Sequence, residues 1–367
     1  MRLIGDGRSL LLLACRTGAA TVLSTECLEP ATRETQVSEF VETPKPGQHH
    51  LSTRIGLWLF GLLVLATVVL VVLRIGQLSR FAELALTAHP AWLLLAAVFQ
   101  SLTYISAAAV WHAALLRVGA PRRLRALIPL GIAKLFTDQA LPSGGISGTM
   151  LVIRGLQRRG VAAPLAMSAL LVGLLSFYAA YAMAFLVALT ILHFHHGVGP
   201  ATLVIAVLFA MFVIGVPASV LSVRWFSDGL WIRRLRRLPG AAPLVEAIAA
   251  APSGPLYDPF LVIKATAFQL AVFLLDAATL YVMLRALKQT ASPLVAFASF
   301  IVADVVATVG PIPLGLGVFE GASVAVLHLT GVPVEAALAA TLLLRGFTFW
   351  LPMLPGMWLV RRELVSD

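Results

Sequence analysis

A proline/glycine break occurs twice in this 367-residue chain, and any fold must accommodate both copies. Pro142-Ser143-Gly144-Gly145-Ile146-Ser147 lies 171 residues before Pro313-Leu314-Gly315-Leu316-Gly317-Val318. At that offset Thr137 falls on Thr308, Gly160 on Gly331, Val161 on Val332, Ala166 on Ala337 and Leu171 on Leu342. Each break separates two apolar stretches that are too short or too charged for a comfortable membrane span. A helix broken at membrane depth frees backbone N–H and C=O groups, which is tolerated only inside protein or along a wet cavity. Two such breaks at matching positions of two halves form the pattern of a transporter core.

The breaks are set in a chain that is 59% hydrophobic and 12% charged, with mean hydropathy +0.93. Soluble domains hold about twice that share of charged residues, so the reading is an all-α polytopic membrane protein. The net charge of +10 does not imply a nucleic-acid partner. The arginines cluster in short loops between apolar segments, as the positive-inside rule requires, and no basic surface interleaved with aromatics accompanies them. Residues 1–50 carry five glutamates, both cysteines (Cys15 and Cys27) and a Pro/Gly-rich end. They read either as a disordered cytoplasmic tail or as sequence upstream of the true start. Thiolate metal sites and disulfides are thereby excluded from the membrane region.

Six full spans are predicted: Ile55–Leu73, Ala91–Leu116, Pro164–Leu192, Ala201–Val223, Phe260–Leu284 and Glu335–Val360. About 20 helical residues cross a bilayer core. Between them lie two re-entrant broken-helix hairpins, one descending through Leu124–Leu141 and returning from Ile146, the other descending through Pro293–Val309 and returning through Val318–Thr330. His193-Phe194-His195-His196-Gly197 reads as a polar loop rather than a metal site, Arg224–Pro259 as a basic, Pro-rich connector, and the Arg233–Arg237 cluster within it as an inner-leaflet anchor that attracts anionic lipid.

With both termini cytoplasmic, 14 arginines fall in inside loops, against Arg74, Arg80, Arg285 and Lys288 outside. Three spans separate the hairpins. They then enter from opposite sides, and the halves, about 54–192 and 201–360 of a 54–362 membrane domain, form an inverted repeat. The 171 offset lays Ala91–Leu116 on Val262–Leu287. The inversion fails if the 18-residue arm Leu124–Leu141 itself crosses the membrane.

The chemistry-bearing residues are the intramembrane charges and the breaks. Charged groups at such depth pair or mark a pathway. Glu320 lies in the first turn of a half-helix, where a carboxylate is favoured; Glu320 and Arg345 either form a purely structural pair or contact substrate, with Arg345 the first candidate for a phosphate contact because guanidinium binds phosphate bidentately. Gly144, Gly145, Ser147, Gly315 and Gly317 line the breaks, whose half-helix N-termini suit an anion. Asp276 and Asp304 mark a polar path, or hydrogen-bond neighbouring helices. Lys134 and Asp138, four apart, share a helix face and either join that path or neutralise each other. No catalytic, cofactor or metal signature appears: a P-loop, zinc-protease spacing and a nucleophile elbow are all missing.

Gly144-Gly145-Ile146-Ser147-Gly148 with Arg154 and Arg158-Arg159-Gly160, and Pro311-Ile312-Pro313-Leu314-Gly315-Leu316-Gly317-Val318-Phe319-Glu320 followed by Gly331-Val332-Pro333, Ala336-Ala337 and Arg345, resemble the lysylphosphatidylglycerol synthase transmembrane-region family. The first motif departs from it at Thr149, where members often carry an acidic residue. The resemblance implies a multi-pass inner-membrane protein with a flippase-like activity toward membrane lipids, an anionic phospholipid or another lipid. In two-domain members a soluble C-terminal domain transfers an amino acid to phosphatidylglycerol. Only seven residues follow Val360 here, so no enzyme activity is expected of this chain. The competing reading is a non-transporting subunit that scaffolds a separate lipid- or glycan-modifying enzyme.

Overall fold

The computed structural model describes residues 89–365 except 141–144, 197–199, 226–240 and 311–314. The acidic tail with its cysteines, the predicted span Ile55–Leu73, the Pro142–Gly144 and Pro311–Leu314 parts of the breaks, and Arg233–Arg237 lie outside the described residues.

Among the described residues every regular element is helical. They are α1 (Pro90–Arg117), α2 (Leu124–Ala140), α3 (Ile146–Arg158), α4 (Ala163–His196), α5 (Pro200–Trp225), α6 (Ala241–Ala250), α7 (Pro259–Ala286), α8 (Pro293–Val309), α9 (Val318–Leu329), α10 (Val334–Arg345) and α11 (Leu351–Val365). A 3₁₀ turn at Gly254–Tyr257 precedes α7, and a π-helical turn at Gly346–Trp350 joins α10 to α11. Five segments are long and apolar enough to cross a membrane: Pro90–Arg117, Ala163–Phe194, Leu203–Val223, Pro259–Ala286 and Val334–Arg361. Each coincides with a predicted span to within a few residues.

The helices recur in matched sets. α1 and α7 are both 28 residues long and open on a proline, whose fixed φ suits the first helical turn. α2 and α8 are both 17 residues long. α3 and α9 end alike: the Val161 N–H returns to Leu156 O and the Val332 N–H to Leu327 O, each at 3.0 Å. This fold-back closes a helix C-terminus by satisfying its orphan carbonyls.

α1 and α7 run antiparallel over their whole length. The His89 N–H donates to Ala286 O at 3.5 Å, Gln100 Nε2 to Asp276 Oδ1 at 2.9 Å, and Arg117 pairs with Asp258 at the far end. His89 and Asp258 each stand immediately before the opening proline, and Arg117 and Ala286 each close their helix. The first and last contacts therefore join corresponding positions, by a backbone hydrogen bond at one end and an ion pair at the other. Antiparallel crossing of equivalent helices is the geometry that an inverted repeat requires. The exchange continues outward: α2 packs on α11, and α8 packs on α4.

Four expectations need correction. The 171 offset holds only after the breaks; before them Pro90 matches Pro259 and Leu124 matches Pro293, an offset of 169, so Ala91 does not fall on Val262. The breaks differ in length, and a motif anchored on them cannot register the helices before them. His193–His196 close α4 as helix rather than forming a loop. The connector before Pro259 contains α6 and the 3₁₀ turn. The last span is not one regular helix, because the π turn interrupts it directly after Arg345.

Two apolar cores follow from this arrangement. One joins the end of α1 to α2, α3, the start of α4 and the start of α7, around Leu115, Leu127, Leu130, Leu156 and Met167. The other joins the later part of α4 to the end of α7, α8, α9 and α10, around Tyr181, Leu280, Met283, Ile301 and Leu344. In the second, three fully buried hydroxyls link consecutive elements: Ser299 Oγ lies 3.2 Å from Ser323 Oγ, which lies 2.9 Å from Thr341 Oγ1.

Candidate functional site

The second break is built by glycines. Gly315 and Gly317 have φ of +61° and +81°, a region L side chains rarely adopt. A Cβ on Gly315 would sit 2.5 Å from Ala307 Cβ, so the turn backbone lies directly against α8. α9 begins at Val318, and Glu320 in its first turn folds back so that the Gly317 N–H donates to Glu320 Oε2 at 2.6 Å. The other oxygen, Oε1, accepts from Arg345 Nε at 3.0 Å. The guanidinium of Arg345 stacks over the Phe319 ring, 4.2 Å from its centroid, with Phe349 at 5.7 Å. Cations are attracted to the negative face of aromatic rings, so Arg345 is held from two sides. That hydrogen bond is the only one Arg345 makes to a described residue, which leaves its Nη donors unengaged among the described residues. The Arg345 and Glu320 side chains retain 15% and 14% of their surface, so the pair is partly buried without being sealed.

The first break reaches a similar result by a different route. Gly145, at φ +86°, precedes α3. The carboxylate comes from the preceding helix: Asp138 Oδ1 accepts the Gly148 N–H at 3.1 Å, and Oδ2 accepts from Lys134 Nζ at 2.5 Å. A Cβ on Gly148 would lie 2.1 Å from Asp138 Oδ1, so only glycine admits this cap without displacement. Thr149, the counterpart of Glu320 at the 171 offset, turns back to Gly145 O at 2.8 Å. Ser147 stands in the same first turn. Gly144 lies outside the described residues. Lys134 and Asp138 remain 29% and 22% exposed.

Asp276 and Asp304 occupy the region between the halves. Asp276 of α7 accepts from Gln100 Nε2 of α1 at 2.9 Å and sits 3.4 Å from Thr103 Oγ1; Gln100 Nε2 also donates to Thr279 Oγ1 at 3.1 Å. The Tyr104 hydroxyl beside them is buried without a hydrogen-bond partner among the described residues. Asp304 of α8 lies within electrostatic reach of Asp276, Arg345 and the Tyr181 hydroxyl. Tyr181 itself meets Thr308 Oγ1 at 3.1 Å, with its ring in a cage that includes Phe177, Phe209 and Phe273.

The structure thus brings Arg345, Glu320, Gly317 and Asp304 together, groups Lys134 and Asp138 with Gly145 and Ser147, and sets Asp276 at the α1–α7 contact. Among the described residues no hydrogen bond or ion pair joins the Lys134–Asp138 pair to the Glu320–Arg345 pair. Sequence reasoning missed Phe319, Phe349, Gln100, Thr103 and Tyr181. Gln100 carried a signal, as an amide within an apolar run, and Phe319 one as a member of the second motif, whereas the other aromatics did not, because apolar rings in a span are unremarkable by type.

Among the described residues the fold thus holds a charged pair at each of two helix breaks, two further carboxylates, Asp276 and Asp304, and five membrane-length segments. No curated protein matches the chain. The family model described as the lysylphosphatidylglycerol synthase TM region matches residues 58–356, which takes in both breaks and every paired charge described above. By that match the chain belongs to the lysylphosphatidylglycerol synthase TM-region family.

Proposed function

We propose that this protein is a lipid flippase or lipid-export protein of the inner membrane, with cytoplasmic termini and without enzymatic activity, that passes a phosphate-bearing headgroup through the polar path between its halves. The observation that carries this reading is Arg345: an arginine at membrane depth, fixed by Glu320 and Phe319, whose outer donors have no described partner. Such a group suits bidentate recognition of phosphate. Lys134 at the first break supplies a second cation. The antiparallel α1–α7 pair supports alternating exposure of the site, because rocking one half against the other is the motion inverted repeats permit.

Reconstitution into liposomes containing fluorescent phosphatidylglycerol, with dithionite quenching of the outer leaflet, tests it. Faster loss of protected signal than in empty liposomes, abolished by Arg345→Ala in protein that folds normally, is expected. Unchanged translocation by Arg345→Ala would remove the site assignment, and no acceleration with any lipid analogue would remove the flippase reading.

A further inference from the structure

One carboxylate occupies both anion-binding elements of the second break. Glu320 Oε2 takes the Gly317 N–H at the start of α9, and Oε1 takes Arg345 Nε. A phosphate diester, with two unesterified oxygens on one centre, presents the same pair of acceptors. We propose that Glu320 is the resident counter-anion of this site, which the phosphate of a headgroup displaces in order to bind; this rests on the reading of Arg345 as the phosphate contact.

The first break carries an independent version of the arrangement. Asp138 bridges the Gly148 N–H at the start of α3 to the Lys134 ammonium. That carboxylate comes from a different helix and a different position, since Thr149 stands where Glu320 would be expected. What recurs is a carboxylate bridging a half-helix N-terminus to a cation, with no common residue behind it. Capping alone does not require the cation, and an ion pair alone does not require the N-terminus. Both bridges keep part of their surface exposed, so an incoming anion can reach them.

The consequence for transport is weak binding. A carrier must hold its cargo well enough to admit it and loosely enough to release it. A displaced Glu320 remains beside the bound phosphate and repels it. Removing that charge strengthens binding and slows release.

The test titrates the detergent-solubilised full chain with dihexanoyl phosphatidylglycerol and, separately, with inorganic phosphate, using the parent, Glu320→Gln, Glu320→Ala and Arg345→Ala. Glutamine preserves the cap, because it serves in the same capping position. The expected result is affinity about two- to fivefold tighter for Glu320→Gln, the scale of one partly screened ion pair, with loss of binding in Arg345→Ala. The same pattern for inorganic phosphate alone supports the counter-anion role and identifies free phosphate rather than lipid as the anion. Loss of binding in Arg345→Ala without tightening in either Glu320 variant overturns the counter-anion role and leaves the site standing. Parent-like binding by Arg345→Ala, or no binding of either probe by any protein, overturns both. If one Glu320 variant does not fold, the other decides.

Discussion

The side-chain amide of Gln100 donates to the carboxylate of Asp276 at 2.9 Å, and through this bond α1 and α7 meet by polar contact midway between the His89–Ala286 and Arg117–Asp258 contacts at their two ends. The same nitrogen reaches Thr279 Oγ1, which is fully buried. Gln100→Leu leaves Asp276 short of its main donor and is expected to destabilise the protein by about 1–3 kcal/mol, the penalty for stranding a buried polar group. Adding Asp276→Leu should recover part of that loss, since removing both partners is nearly neutral. Thermal unfolding in detergent measures both; strictly additive losses would show that the two residues do not interact.

Glycines here divide into those that must be glycine and those that need not be. A Cβ on Gly148 would meet Asp138 at 2.1 Å, and one on Gly356 would meet Phe136 Cβ at 2.6 Å, where α11 crosses α2. Gly148→Ala and Gly356→Ala should each cost about 1–3 kcal/mol through overpacking. Gly321, inside α9, has open space around it, and Gly321→Ala should be neutral or stabilise by up to about 1 kcal/mol through helix propensity. Equal melting shifts for the three variants would contradict the packing described.

The Ser299–Ser323–Thr341 chain ties α8, α9 and α10 together behind the second break. Ser323→Ala removes its central member and should lower stability by about 0.6–1.7 kcal/mol, the range of hydrogen bonds between membrane helices. Because the chain supports the hairpin bearing Glu320, proteolytic susceptibility near Gly317 should rise with it. A variant as stable and as resistant as the parent would reduce these hydroxyls to packing.

Asp258 lies outside the membrane spans, capping α7 through the N–H groups of Phe260 and Leu261 and pairing with Arg117. Its hydrogen bond from Arg117, and then the cap, hold the carboxyl below the usual range. A carboxylate lowered on folding stabilises the native state above its unfolded pKa of about 3.9 and loses that contribution as pH falls through the lower folded value. Asp258→Asn should therefore melt below the parent at neutral pH, and the gap should close below about pH 4. A gap of constant size from pH 7 to pH 3 would mean that charge plays no part.

Much of this molecule was legible in its residues because the membrane imposes a length and a polarity on every span. Ala91–Leu116 and Phe260–Leu284 were placed to within a few residues by apolar runs bounded by proline and arginine. Glu320 and Arg345 stood out because charge within such runs is rare. The helix register before the breaks was not legible: 171 is the spacing of the motifs, and 169 that of the helices which precede them. The π turn after Arg345 was equally hidden, since Gly346–Trp350 reads as ordinary span sequence.

The sequence by itself determined the all-helical class, the five described spans, the existence of two related breaks and the identity of the intramembrane charges, because hydropathy and backbone chemistry are local properties. Tertiary structure alone decided the partners. Glu320 reaches its own N-cap and Arg345, 25 residues away; Asp138 caps a helix that is not its own; Gln100 finds Asp276 across 176 residues. Those pairings depend on α1 and α7 crossing antiparallel and on a turn packed so tightly that only glycine fits, and distances of that kind exist only once the helices are packed.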